Sequence, residues 1–122
     1  MYIRLMSQDL LSRHCQPCEG GAEPLNARQA GDLLGALHPD WGLSDDGLVI
    51  SRRFEFPAYS RTLGFANAVA WIAITEGHHP DITFSYGYCV VAYTTHAING
   101  LSDNDFICAA KVDRLARESE LE

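Results

Sequence analysis

The chain has 122 residues, which sets the expectation of a single domain. Its composition, 47% hydrophobic and 20% charged, is that of a globular protein. A formal net charge of -7 leaves no basic footprint for direct nucleic-acid binding, and no apolar run is long enough to suggest a membrane span.

The first segment, "MYIRLMSQDLLSRHCQPC", lacks the long apolar core and small-residue cleavage site of a signal peptide, so a cytoplasmic location is expected. Residues 1–24, through "CEGGAEP", have turn composition and little periodicity. They read as an extended N-terminal arm before one domain spanning 25–122. Four cysteines are present, Cys15, Cys18, Cys89 and Cys108, and reduced thiols are expected. Cys15 and Cys18 form a C-x-x-C, a spacing that suits zinc or redox chemistry. A closed zinc site needs four ligands. His14 could add one, but no second C-x-x-C or H-x-x-x-H completes the set, and no strand–helix context frames a thioredoxin-like site. The pair therefore reads as structural or incidental rather than as a metal or redox site.

In "NARQAGDLLGALHP", Asn26 is placed to cap a helix, and Ala30, Leu33, Leu34 and Leu37 recur at helical spacing up to Pro39. "WGLSDDGLVISRRFEF" reads as a hairpin turning at Asp45-Asp46-Gly47. Leu48, Ile50, Phe54 and Phe56 share one face with Arg52 between them, and Val49, Ser51, Arg53 and Glu55 share the other. Only one side of the sheet is then well covered. Pro57 to His79 is the longest helical candidate. Leu63, Ala66, Ala70 and Ala73 form one apolar stripe and Phe65, Val69 and Ile72 the next, with Trp71 and Ile74 widening the surface. A helix apolar over so much of its circumference is expected to meet a partner as well as the sheet. Asp81 to Thr95 reads as a second hairpin turning near Gly87, and its edge is open to pairing. "NGLSDNDF" starts a last helix with a capping-box-like Ser102 and Asp105, flanked by Leu101 and Phe106 as a hydrophobic staple. The sum is an α+β domain in the order α-β-β-α-β-β-α, a four-stranded antiparallel sheet with three helices on one face.

Three of the five histidines fall in the second half: His78, His79 and His96. Pro80 biases His79 out of helical dihedrals, so His78 and His79 are expected at the end of the long helix, about 100° apart on its surface. The negative helix terminus favours protonated imidazole there. His96 ends the last strand, and if that end lies beside the helix end, all three imidazoles converge. Imidazole both gives and takes protons near neutral pH. Adjacent ligands rarely chelate one ion from a regular element, so acid–base work is favoured over metal binding. Alternatively, HHP is only a polar helix stop.

The stretch from Gly77 to Asp105 resembles the pterin-4a-carbinolamine dehydratase family in His78-His79-Pro80, Tyr86, His96 and Asp105 and their spacing. "RRFEF", "THAINGLSDNDF" and Trp41 extend the likeness over nearly the whole chain, and the C-x-x-C arm is similar to that of bacterial members. The resemblance implies loss of water from a 4a-hydroxytetrahydropterin (a 4a-carbinolamine) to give a quinonoid dihydropterin, with no metal or redox cofactor. It implies His78, His79 and His96 as the acid–base set. Gly77, His78, His79, Thr94, Thr95, His96 and Ala97 are implied as the pterin cradle, with the Thr94 and Thr95 hydroxyls as hydrogen-bond partners. Asp105 either orients a histidine or stabilises the helix terminus, while Tyr86 reads as packing. The implied setting is recycling of a tetrahydrobiopterin-type cofactor for an aromatic amino acid hydroxylase, by a homodimer or homotetramer. A second implied reading is a weakly active or inactive member that acts as a protein-binding or dimerisation module, or in a molybdopterin-related role. One departure stands out. The family usually has an acidic residue four positions before the first histidine, where this chain has Ile74. Glu76 is two helical steps away, about 200° around the axis, and is not expected to serve the same imidazole.

Overall fold

The computed structural model describes residues 8–17 and 22–120. Residues 8–12 are helical (α1), not extended as the composition of the arm suggests. The cause is tertiary. Leu10 is buried in the core, and the Lys111 ammonium donates to the Leu11 carbonyl at 2.9 Å.

The next helix, α2, spans Ala27–Leu34. Its start is the expected one: Asn26 Oδ1 accepts from Gln29 N–H, and Gln29 returns the bond to Asn26 N–H, a full capping box. It stops at Leu34, well before Pro39, because the chain tightens at Gly35 into bonds from Ala36 to Leu33 O and from Leu37 to Leu34 O. That turn buries Ala36, Leu37 and Trp41.

Strand β1 (Gly42–Leu43) and strand β2 (Ile50–Glu55) form the first hairpin, turning where Gly47 adopts φ 75°. Helix α3 follows over Tyr59–Glu76, then β3 (Asp81–Phe84), β4 (Tyr88–Tyr93), a 3-10 turn at His96–Ile98 and α4 (Asp103–Glu120). The sheet is antiparallel, in the order β1-β2-β4-β3. The core-facing cross-strand pairs are Ile50 with Tyr93, Arg52 with Val91 and Phe54 with Cys89. Phe65, Ala66 and Val69 of α3, with Phe106, Ile107 and Val112 of α4, complete the core. The other face carries Ser51, Arg53 and Glu55 and is largely open. This is the expected α+β fold, with α1 added. Trp71 (64% exposed) and Ile74 (69%) lie on the outer side of α3. Among the described residues, no helix is long and apolar enough to cross a membrane.

Arg52 is the exception on the core face, and its charge is met. Its guanidinium donates to Asp113 Oδ1 at 2.7 Å, with both side chains nearly buried. The same carboxylate accepts from Trp41 Nε1 at 2.7 Å and from the His38 N–H at 3.0 Å. Asp113 thus ties α4 to β2 and to the loop after α2. Breaking a buried pair strands the remaining charge, at a cost of about 3–5 kcal/mol. Asp113→Ala is expected to lower the urea midpoint by a corresponding amount, with little change in the slope of the transition.

Candidate active site

Helix α3 ends on Gly77, whose φ of 68° is the left-handed conformation that favours glycine. The N–H groups of Gly77 and His78 both point to the Ala73 carbonyl, at 2.9 and 3.2 Å. The helix therefore stops before the histidines, and Pro80 only reinforces the stop. His78, His79 and Pro80 lie in non-helical backbone, so the 100° helical divergence does not apply. His78 turns inward and is mostly buried, while His79 is exposed at the cavity mouth.

His78 Nε2 lies 2.6 Å from Asp105 Oδ1. Its ring stacks on Tyr93, with centroids 6.0 Å apart and planes 11° apart. Asp105 is fully buried, and its second oxygen accepts from the Thr95 hydroxyl (2.8 Å) and the Ser102 N–H (3.0 Å). With the Thr95 proton committed to Asp105, the 2.7 Å contact between Thr95 and Ser102 has the serine hydroxyl donating. Asp105 therefore serves the helix start and the histidine at once. Its two carboxylate oxygens let one side chain do both.

His79 and His96 stack on each other, with ring centroids 6.4 Å apart and planes 27° apart. A cavity of about 440 Å³ is lined by His78, His79 and His96, and by Gly77, Thr94, Thr95 and Ala97. The structure thus brings all these residues to one space. The protons of both threonine hydroxyls are used inside the protein, Thr94 donating to the Leu48 carbonyl at 2.6 Å and Thr95 to Asp105, so toward a ligand they can only accept. Tyr86 is outside the cavity, stacked with Tyr59 at 6.3 Å.

The sequence reading missed one wall. Cys15, Gln16 and Pro17 line the cavity together with Glu76 and Asn104. Asn104 clamps Gln16 at two points, accepting from its N–H at 3.0 Å and donating to its carbonyl at 2.6 Å. The Glu76 side chain, 5% exposed, accepts from Cys15 N–H at 2.8 Å, pairs with His14 Nδ1 at 2.9 Å and lies 3.8 Å from the Lys111 ammonium. Nothing local in "RHCQP" signals these contacts with residues about sixty to ninety positions away. Ile74 is not a cavity residue, so the unusual residue of the sequence comparison faces solvent while Glu76 lines the site. Cys18 lies outside the described residues.

The model for the family described as pterin 4 alpha carbinolamine dehydratase matches residues 23–115. The chain belongs to this family. It is 49% identical over 110 residues to a Legionella pneumophila (strain Corby) protein named "Putative pterin-4-alpha-carbinolamine dehydratase", covering 90% of this chain and 97% of that one. Its identity to a protein of the same name from Nitrosomonas eutropha is 55% over 107 residues, covering 88% and 93%. The crystal structure of a transcriptional coactivator/pterin dehydratase from Brucella melitensis superposes with a TM-score of 0.72 at 30% identity, covering 77% of this chain and 99% of that one. A pterin dehydratase-like protein described as a RuBisCO assembly factor in the alpha-carboxysome gives 0.56 at 29% identity, covering 65% and 92%.

Burial opposes ionisation of Glu76, but the Cys15 N–H, His14 and Lys111 outweigh it and hold the carboxyl below its ordinary value of 4.5. A folded-state value below the unfolded one stabilises fully above pH 4.5 and is lost as the pH falls through the lowered value. Glu76→Gln is expected to cost about 1–3 kcal/mol at pH 7. The gap to wild type should narrow as the pH falls through that lowered value, where the wild-type carboxyl takes up its proton. Urea unfolding across a pH series from 7 downward measures both.

Proposed function

We propose that the chain dehydrates a 4a-hydroxytetrahydropterin to a quinonoid dihydropterin and water, with His78, His79 and His96 as the acid–base set. The observation that carries this reading is the cavity where the three imidazoles meet, one of them held by the buried Asp105. Its volume is within the range of small-molecule sites.

The reaction moves two protons. One goes to the departing hydroxyl, which leaves as water, and one comes off a ring nitrogen of the pterin. With Nε2–H donated to Asp105, His78 presents Nδ1 as the base. The imidazolium formed there faces a carboxylate, which stabilises it. His79 and His96, exposed at the mouth, are placed to protonate the hydroxyl and to re-equilibrate with water. No net oxidation occurs, and the steps draw on no metal or redox cofactor. The cellular setting that fits this reaction is recycling of a pterin cofactor, such as the one an aromatic amino acid hydroxylase uses.

A protein-binding role is the second reading. Trp71 and Ile74 are exposed on α3, and the two superposing structures are a coactivator/dehydratase and an assembly factor.

Positioned acid–base groups contribute about 10²–10⁴-fold. His78→Ala and Asp105→Asn are each expected to lower kcat/KM for a 4a-carbinolamine within that range. His79→Ala and His96→Ala should lower it too, with the circular dichroism spectrum kept. Ile74→Glu should leave the rate unchanged, because its carboxylate would sit in solvent. A wild-type rate in folded His78→Ala would overturn the assignment, and no dehydration by wild type would favour the binding role.

A further inference from the structure

The wall that Cys15, Gln16 and Pro17 add to the cavity also holds a contact between two thiols. Cys15 Sγ lies 3.4 Å from Cys108 Sγ, although the residues are 93 positions apart. Cys15 is half-buried on the cavity wall, and Cys108 is buried on α4. Cys108 Sγ also lies 4.0 Å from the His78 carbonyl oxygen, so the thiol pair sits directly behind the inward histidine. The approach is anchored on both sides of Cys15: its own N–H is held by Glu76, and Gln16 is clamped by Asn104. A disulfide has its sulfurs about 2.05 Å apart, so closure requires a movement of about 1.4 Å from the present contact.

We propose that Cys15 and Cys108 are a reversible dithiol–disulfide pair, oxidised by low-molecular-weight disulfides, that latches the N-terminal wall of the cavity to α4. The Cys15 thiolate attacks one sulfur of the oxidant, whose S–S bond breaks and releases a first thiolate. The Cys108 thiolate then attacks the Cys15 sulfur and releases the second. Two electrons pass to the oxidant, and the two cysteine protons end on the two released thiols. Exposure makes Cys15 the attacking sulfur. The Cys108 thiol is pushed up, first by its hydrogen bond to Cys15 and then by burial, which fits its place as the second sulfur to react. This latch does not depend on the dehydratase reading, because forming it involves no pterin.

The test uses the native chain, equilibrated in oxidised and reduced glutathione, quenched in acid, alkylated and mapped by mass spectrometry. The expected product is a Cys15–Cys108 linked peptide, lighter by two hydrogens and reversed by dithiothreitol. Cys18→Ser should form it equally, and Cys108→Ala should stop at glutathione on Cys15. The oxidised chain should melt several degrees higher, since the bond closes a long loop. A link confined to Cys15 and Cys18, or both Cys15 and Cys108 remaining alkylatable in fully oxidised glutathione, would overturn the proposal.

Discussion

The buried carboxylate of Asp105 is the constraint on which the site depends. It receives the first turn of α4 through Ser102, the end of β4 through Thr95, and the segment after α3 through His78. Those three segments have little reason to meet otherwise. A buried carboxylate without partners is costly, and its cost falls only when all its donors are in place. The geometry that satisfies Asp105 is therefore also the geometry that holds His78 at the cavity.

Asp113 plays the corresponding structural part further along the same helix. The two aspartates are eight positions apart on α4, about 12 Å along the axis. One gathers Arg52, Trp41 and the loop after α2; the other gathers the site. Between them, Phe106, Ile107 and Val112 pack in the core. Helix α4 is thus fixed along its length by two polar nodes with apolar packing between them. That leaves little freedom for the site to drift relative to the sheet.

Glu76 extends the site in the other direction. The last residue of α3 reaches the backbone of Cys15 and so recruits a segment from the start of the chain as a cavity wall. His79 and His96, stacked at the mouth, form the opposite and more open side. The cavity has one histidine held by a buried charge and two in contact with water. That asymmetry suits a reaction that must take one proton and deliver another.

Much of this was legible in the sequence, for local reasons. Asn26 and Gln29 marked the start of α2, Asp45-Asp46-Gly47 marked a turn, and the alternation of Ile50, Arg52 and Phe54 marked a strand with one apolar face. The three histidines stood out as residue types, and the family resemblance pointed to residues that the fold brings around one cavity. Where the reading fell short, the cause lay in contacts between distant residues. Residues 8–12 are helical because Leu10 finds a core built from the rest of the chain. Helix α3 stops at Gly77 through a left-handed backbone angle, so the two histidines do not share a helix surface. Ile74 drew notice as an odd residue in a familiar motif, yet the fold turned it to solvent and placed Glu76 at the cavity. The sequence by itself determined the elements, the sheet face and the set of imidazoles, because periodicity, capping and turn chemistry act within a few residues. Tertiary structure alone decided that Asp105 holds His78, that Glu76 holds the N-terminal wall, and that Cys15 meets Cys108. Each is a pairing of groups far apart in the chain, and its partners are chosen by burial rather than by spacing.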